Sequence, residues 1–162
     1  LRNMYYKDEV EDKDRIVTGW GASLSGIWQF AKNTSLCFQG VYGKGVSNYI
    51  QDISGAGLDL VPSTTAEGKL KAFCAWGGYL GFAHNWCETL SSNIMYSYAR
   101  VLDQYGMPAT SYKYAQYAAA NLFWNFSEYG SCAIEYVFGR RNDFNKDYGN
   151  ASRINTMIQY RF

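Results

Sequence analysis

From 153 to 162 the chain alternates. Ile154, Thr156, Ile158, Tyr160 and Phe162 fall on one face of a two-residue repeat, and Arg153, Asn155, Gln159 and Arg161 fall on the other, with Met157 as the break. That period belongs to a strand with one apolar face. The same split recurs upstream, where Cys132, Ile134, Tyr136 and Phe138 oppose Ala133, Glu135, Val137 and Arg141, and Leu122, Trp124 and Phe126 oppose Asn121, Phe123 and Asn125. Carried to the start of the chain, the pattern predicts about eight strands, at 1–7, 15–30, 35–46, 70–86, 91–101, 112–126, 131–141 and 152–162. The segments between them alternate in length. Those at 31–34, 87–91 and 127–130 are tight, whereas 8–14, 47–69, 102–111 and 142–151 are longer and rich in Asp, Asn, Ser, Gly or Lys. Short turns therefore gather at one end and long loops at the other, with both termini expected on the short-turn side. No helix-period segment or linker interrupts 1–162, which is read as one all-β domain.

The apolar face is too bulky to point inward. It carries Trp20, Leu24, Trp28, Phe30, Trp76, Leu80, Trp86, Leu122, Trp124, Phe126, Ile158 and Phe162 among others, more than the interior of an eight-stranded barrel holds. The opposite face, with Gly19, Gly21, Ser23, Ser25, Gln39, Gly43, Gly81, Asn85, Asn121, Asn125, Glu135, Gln159 and Arg161, suits an interior or a wet lumen. Spacing points the same way. Trp20 and Phe30, Trp76 and Trp86, and Tyr114 and Trp124 are each ten residues apart on the apolar face. At about 3.3 Å per residue and a tilt of about 40°, that interval climbs about 25 Å, the height of the apolar band between the aromatic girdles of an outer-membrane barrel. The predicted girdle is Trp20, Trp28, Phe30, Trp76, Trp86, Tyr114, Trp124, Phe126 and Phe162. A last strand ending in Phe162 also resembles the assembly signal that outer-membrane proteins present to their insertion machinery.

Composition narrows the classes further. Aromatics make up 18% of the residues, with 15 Tyr against 2 Pro, which favours strands over helices. A net charge of +1 provides no general basic field to hold nucleic acid. No basic segment followed by an apolar one opens the sequence, which reads as a mature or trimmed product, and no apolar run is long enough for a membrane helix. Barrel strands escape that second test because each alternates.

Several stretches resemble one family. "VTGWGASLSG" (17–26), "FQGVYGKGVSNYIQD" (38–52), "AWGGYLGFAHNW" (75–86), "YKYAQYAAANLFWNF" (112–126) and "YGNASRINTMIQYRF" (148–162) are similar to the C-terminal half of DcaP-like outer-membrane porins, including relatives in Bacteroidetes. The resemblance implies a trimeric diffusion channel in a Gram-negative outer membrane, passing small, often anionic solutes, on a barrel of roughly sixteen strands. The chain is then either the C-terminal portion of such a porin or a small eight-stranded barrel related to one. In the second case its role is structural or interactive, because so narrow an interior is normally filled.

Catalytic and metal chemistry find little footing. His84 lies beside Phe82 and Trp86 without a neighbouring Ser or Asp, and reads as a girdle or interface residue rather than part of an outer-membrane enzyme. Cys37, Cys74, Cys87 and Cys132 form no CxxC pair, so neither a zinc site nor a disulfide pairing is read from them. Asn33, Asn125 and Asn150 match the glycosylation triplet by chance in an Asn-rich chain. No cofactor is expected. The opening loop "KDEVEDKD" reads as a solvated face, although its carboxylates also suit divalent cations bridging lipopolysaccharide.

The expected solute pathway rests on parity. Lys71, Lys113, Arg141, Arg153 and Arg161 are predicted inward, against Glu135 as the one inward carboxylate of the strands. Rings of Arg or Lys favour anions. The 47–69 loop, with Asp52, Asp59, Lys69 and Lys71, is predicted to fold inward and narrow the lumen. Expected partners are outer-membrane lipid and lipopolysaccharide, two further copies of the chain if it is a porin, and the barrel-insertion machinery through the strand ending in Phe162.

Overall fold

Where large apolar side chains stand at every second position, an extended backbone lets one face be buried and the other stay wet. The chain follows that pattern. A computed structural model describes residues 1–162 apart from 103 and 105, two positions of the predicted 102–111 loop. Its strands are β1 (Arg2–Asp8), β2 (Lys13–Ala31), β3 (Thr34–Lys44), β4 (Leu60–Pro62), β5 (Leu70–Ala72), β6 (Cys74–Asn85), β7 (Leu90–Val101), β8 (Tyr112–Asn125), β9 (Gly130–Asp143) and β10 (Tyr148–Tyr160).

Eight of these form one antiparallel sheet in the order β1-β2-β3-β6-β7-β8-β9-β10. Apart from the β4–β5 ribbon that lies in sequence between β3 and β6, neighbours in the sheet are neighbours in sequence, the meander of a barrel wall. Among the described residues no ladder joins β10 to β1, so the two stand at opposite ends of the sheet. Short turns connect β2 to β3, β6 to β7 and β8 to β9 at one end; at the other only the β3–β6 and β7–β8 connections are long. The strands flanking the predicted loops 8–14 and 142–151 pair further and leave turns at 9–12 and 144–147 no longer than those at the first end. Arg2 pairs with Gly19, so Leu1 lies beside the middle of β2 and not at the short-turn end; only the C-terminus emerges there.

The segment predicted as one strand at 70–86 is two. β5 ends at Ala72 and pairs with β4 as a small ribbon inside the long loop, and Phe73, fully buried, separates it from β6. This loop, 45–73, also contains two short 3-10 turns, Ser47–Tyr49 and Gln51–Ile53.

The buried core belongs mainly to that loop. Val46, Ile50, Ile53, Leu58, Val61 and Phe73 pack with Ala75, Ala99 and Val101 of the sheet, and Val41, Met107, Tyr112 and Phe144 close the cluster from its sides. Val41, Ala75, Ala99 and Val101 all share the small and polar face of the sheet. Two glycines on that face, Gly21 and Gly77, allow the loop to lie close. A Cβ on Gly21 would stand 2.6 Å from Val46 Cγ1, and one on Gly77 would stand 2.8 Å from Ile50 Cγ2. The other face stays open, with Leu24, Trp28, Ile94, Tyr136, Ile154 and Ile158 at least half exposed. A face so rich in exposed large apolar side chains has no place in water.

Candidate functional site: the loop-covered face of the sheet

Register decides which side chains meet on the loop-covered face. Gln39 pairs with Tyr79, Tyr79 with Ser97 and Ser97 with Tyr117, so four adjacent strands present a polar-aromatic row. Tyr49, Gln51 and Asp52 of the loop stand over this row and enclose with it a cavity of about 450 Å³. Partial burial there raises the Asp52 carboxyl above its ordinary value, because the charged form loses water.

The loop is tied down by one carboxylate. Asp59 accepts from Arg2 Nη1 at 2.6 Å, Ser47 Oγ at 2.7 Å and Asn48 Nδ2 at 2.8 Å. A second tie runs from the Leu70 backbone N–H to Tyr6 Oη at 3.0 Å. Both Arg2 and Tyr6 share the parity of Gly19 and so point to the covered face. The loop is thus anchored across the sheet, from β1 to the core under β7.

Below the cavity, four residues along β7 and toward the short turns, lies a second polar row. Asn93, Asn121, Glu135 and Asn155 are register partners across β7 to β10. Asn93 donates to Asn121 Oδ1 at 2.9 Å, and Asn155 donates to Glu135 Oε1 at 2.9 Å.

The six residues proposed for the solute pathway are not all in one place. Arg141 and Arg153 lie on the covered face, paired in register with Gly149 and Val137. Arg141 Nε donates to Asp143 Oδ1 at 2.9 Å. Asp143 lies two residues along β9 on the same face, so Glu135 is not the one inward carboxylate of the strands; β9 runs two residues further than its apolar pattern shows. Arg153 is exposed and has no ion-pair partner among the described residues, and Glu135 bonds to Asn155 instead of to an arginine. Lys113 falls in a register shift between Tyr112 and Tyr114, with Nζ 5.9 Å from the centre of the Phe144 ring. Lys71 belongs to the β4–β5 ribbon and not to the wall. Arg161 follows β10 at the short-turn end, where its backbone N–H meets Tyr129 O and it shares a small hollow with Asn125 and Ser131.

The predicted girdle residues take two levels on the open face. Trp20 and Trp76 stand toward the long-loop end, and Tyr114 is two strands from Trp76 in the same row; Trp28, Phe30, Trp86, Trp124, Phe126 and Phe162 gather at the short-turn end. His84 belongs to the lower level. Its Nδ1 meets Thr34 Oγ1 at 2.8 Å, and its ring packs edge-on to Trp86 at 4.5 Å. The four cysteines are unpaired, and no group of three potential metal ligands forms among the described residues.

Tyr49, Tyr79, Tyr117 and Asn93 went unmarked by sequence reasoning, and Asn121, Glu135 and Asn155 were placed on the polar face without being joined in one row. Their signal was the inward parity of polar and aromatic positions, which becomes a site only once register aligns the strands.

A two-level aromatic face backed by a polar face with a loop laid over it is the layout of a membrane-barrel wall. The fold is that of an outer-membrane channel. The crystal structure of the outer membrane channel DcaP of Acinetobacter baumannii matches with a TM-score of 0.79 at 19% identity, over 99% of this chain and 45% of that one. The chain thus spans less than half the length of that channel. No protein-family model matches the sequence, and no curated protein matches it.

Proposed function

We infer that the chain is part of the wall of a porin-like barrel in a Gram-negative outer membrane, through which small solutes diffuse passively. The observation that carries this reading is the loop at 45–73, packed by its own apolar core onto the polar face of a sheet whose other face suits lipid. A loop held there narrows the space beside the wall and leaves the Tyr-lined cavity and the exposed Arg153 in the path of a solute.

An anion preference follows from charge balance along the wall. Arg141 is partly neutralised by Asp143, and Glu135 is engaged by Asn155, which leaves Arg153 as the uncompensated charge between cavity and short turns. In a narrow low-dielectric passage such a charge biases entry toward anions. Small carboxylates are the proposed solutes. The resemblance to DcaP-like porins, with relatives in Bacteroidetes, supports a trimer as the assembly.

Planar-bilayer recordings of the natural protein in a salt gradient test the reading. The expected result is a reversal potential showing anion preference, which weakens or inverts in Arg153→Glu and changes less in Arg141→Glu. Absence of conductance, or cation preference in the unmodified protein, defeats it.

A further inference from the structure

The open face carries a feature that solute passage does not use. Register places Arg100 on that face, between Trp76 of β6 and Tyr114 of β8. It is half-buried, and its Nε is covered with no hydrogen-bond partner among the described residues. Around it the rings are packed: Trp76 and Tyr98 lie 5.0 Å apart between centroids, and Tyr98 stacks on Tyr114 at 5.6 Å.

Two strands away, Arg140 stands on the same face, in register with Gln116. Its guanidinium lies 4.4 Å over the Tyr148 ring and its Nε donates to Asn142. Lys44 of β3 shares this face one row further toward the long loops than Arg100, in register with Trp20 and Cys74. Outward positions of β3 and β6 to β10 include no Asp or Glu. Three cations at the long-loop end of a lipid-suited face therefore lack a counter-charge on those strands. The short-turn half of the same face has no Lys or Arg on these strands.

A cation in a lipid-facing aromatic belt is costly unless its head reaches the interface and an anion meets it there. An arginine fork bonds phosphate oxygens in pairs, and anionic headgroups attract basic residues at this depth. The geometry points to a binding site for the phosphate group of a membrane lipid, on the open face at β7 to β9, with Arg100 and Arg140 as the anchors, Gln116 as a further polar contact and the buried Asn142 holding Arg140 in place. Rings of Trp76, Tyr98, Tyr114 and Tyr148 flank the anchors in their own two rows and offer the lipid an apolar bed beside its phosphate. The alternative occupant, a carboxylate of a neighbouring copy, would satisfy the same charges.

The site rests on the membrane reading above, and its test separates the two. The natural protein is reconstituted in nanodiscs of phosphatidylcholine alone, with lipid A bearing its phosphates, or with dephosphorylated lipid A. Lipid retained after detergent release is counted by native mass spectrometry. The phosphorylated lipid should be retained and the dephosphorylated one lost, and Arg100→Gln and Arg140→Gln should each cut retention about tenfold, while Lys32→Gln in a short turn should not. Heat-modified mobility on gels checks that each variant is folded, and the comparison of the two lipids in the unmodified protein needs no variant. Equal retention of both lipids overturns the site. Loss of retention in inorganic phosphate alone, with no preference for the acyl-bearing molecule, assigns it to free phosphate and overturns the lipid. Cross-linking between copies through Tyr96→Cys, on the same face of β7 and outside the anchors, in a protein that retains neither lipid assigns the charges to a subunit contact and does the same. Failure to enter nanodiscs of any composition counts against the membrane reading itself.

Discussion

The Arg2 guanidinium and the Asp59 carboxylate, 2.6 Å apart, join the first strand to the middle of a loop 57 residues further along the chain. Asp59 also accepts from Ser47 and Asn48, so a single side chain closes the loop on itself and fastens it to the sheet.

Replacement of this carboxylate should loosen the loop without unfolding the sheet. The side chain of Arg2 is 36% exposed, so solvent screens the ion pair and the Ser47 and Asn48 bonds carry most of the effect. For Asp59→Ala the expected loss is about 1–3 kcal/mol of local stability, read as faster amide exchange over 46–61 with unchanged exchange in β8 and β9. Unchanged protection of the loop would show that its apolar core alone holds it.

The core contact at Gly77 offers the reverse handle. A side chain there meets Ile50 Cγ2 at 2.8 Å, so Ala asks Ile50 to shift, and the branched side chain of Gly77→Val has no room unless the loop rises. The expected outcome is a wider passage: larger single-channel conductance in Gly77→Val than in the unmodified protein, with Gly77→Ala between them. A conductance equal to the unmodified value in the Val variant would mean that the loop does not set the width.

Acidity should act through Asp52. Burial raises its carboxyl above the ordinary value of 3.8. A carboxyl shifted upward holds its proton more readily in the folded loop than in the unfolded chain. Its contribution to loop stability is therefore complete below the ordinary value and is lost as pH rises through the elevated one. Acidification from neutral through that window should remove a negative charge from the cavity and increase anion preference before ordinary carboxyls titrate. The ratio of anion to cation permeability, measured against pH, should show this early step in the unmodified protein and lack it in Asp52→Asn. A step that persists in the variant belongs to another group.

Most of the sheet was legible because its period of two is long-lived. β2, β7, β8 and β9 each run for 12 residues or more, and their apolar and polar faces separate cleanly. The ribbon at 60–62 and 70–72 was not legible, since three residues are too few to establish an alternation and Gly, Ser and Pro around them spell a loop. The 47–69 loop lies on the polar face of the sheet, but the cause, an apolar core of Ile50, Ile53, Leu58 and Val61 against Ala75 and Ala99, joins segments that no local pattern connects. Lys113 was assigned by strict parity, and the register shift beside Tyr112 breaks that parity. Arg100 drew no notice in the sequence, because its significance lies in the row Trp76–Arg100–Tyr114, which exists only once three strands are aligned.

The central claim is that one face of this sheet meets lipid and the other meets water, and β9 is the strand on which to measure it. Spin labels placed singly at positions 133 to 139 of the natural protein in lipid bilayers report collision with oxygen, which concentrates in lipid, and with a water-soluble nickel chelate. The account predicts a two-residue alternation, with oxygen contact at the positions of Ile134, Tyr136 and Phe138 and chelate contact at those of Ala133, Glu135, Val137 and Gly139. Chelate contact at Ile134, Tyr136 and Phe138, or collision frequencies that do not alternate along the strand, would contradict it.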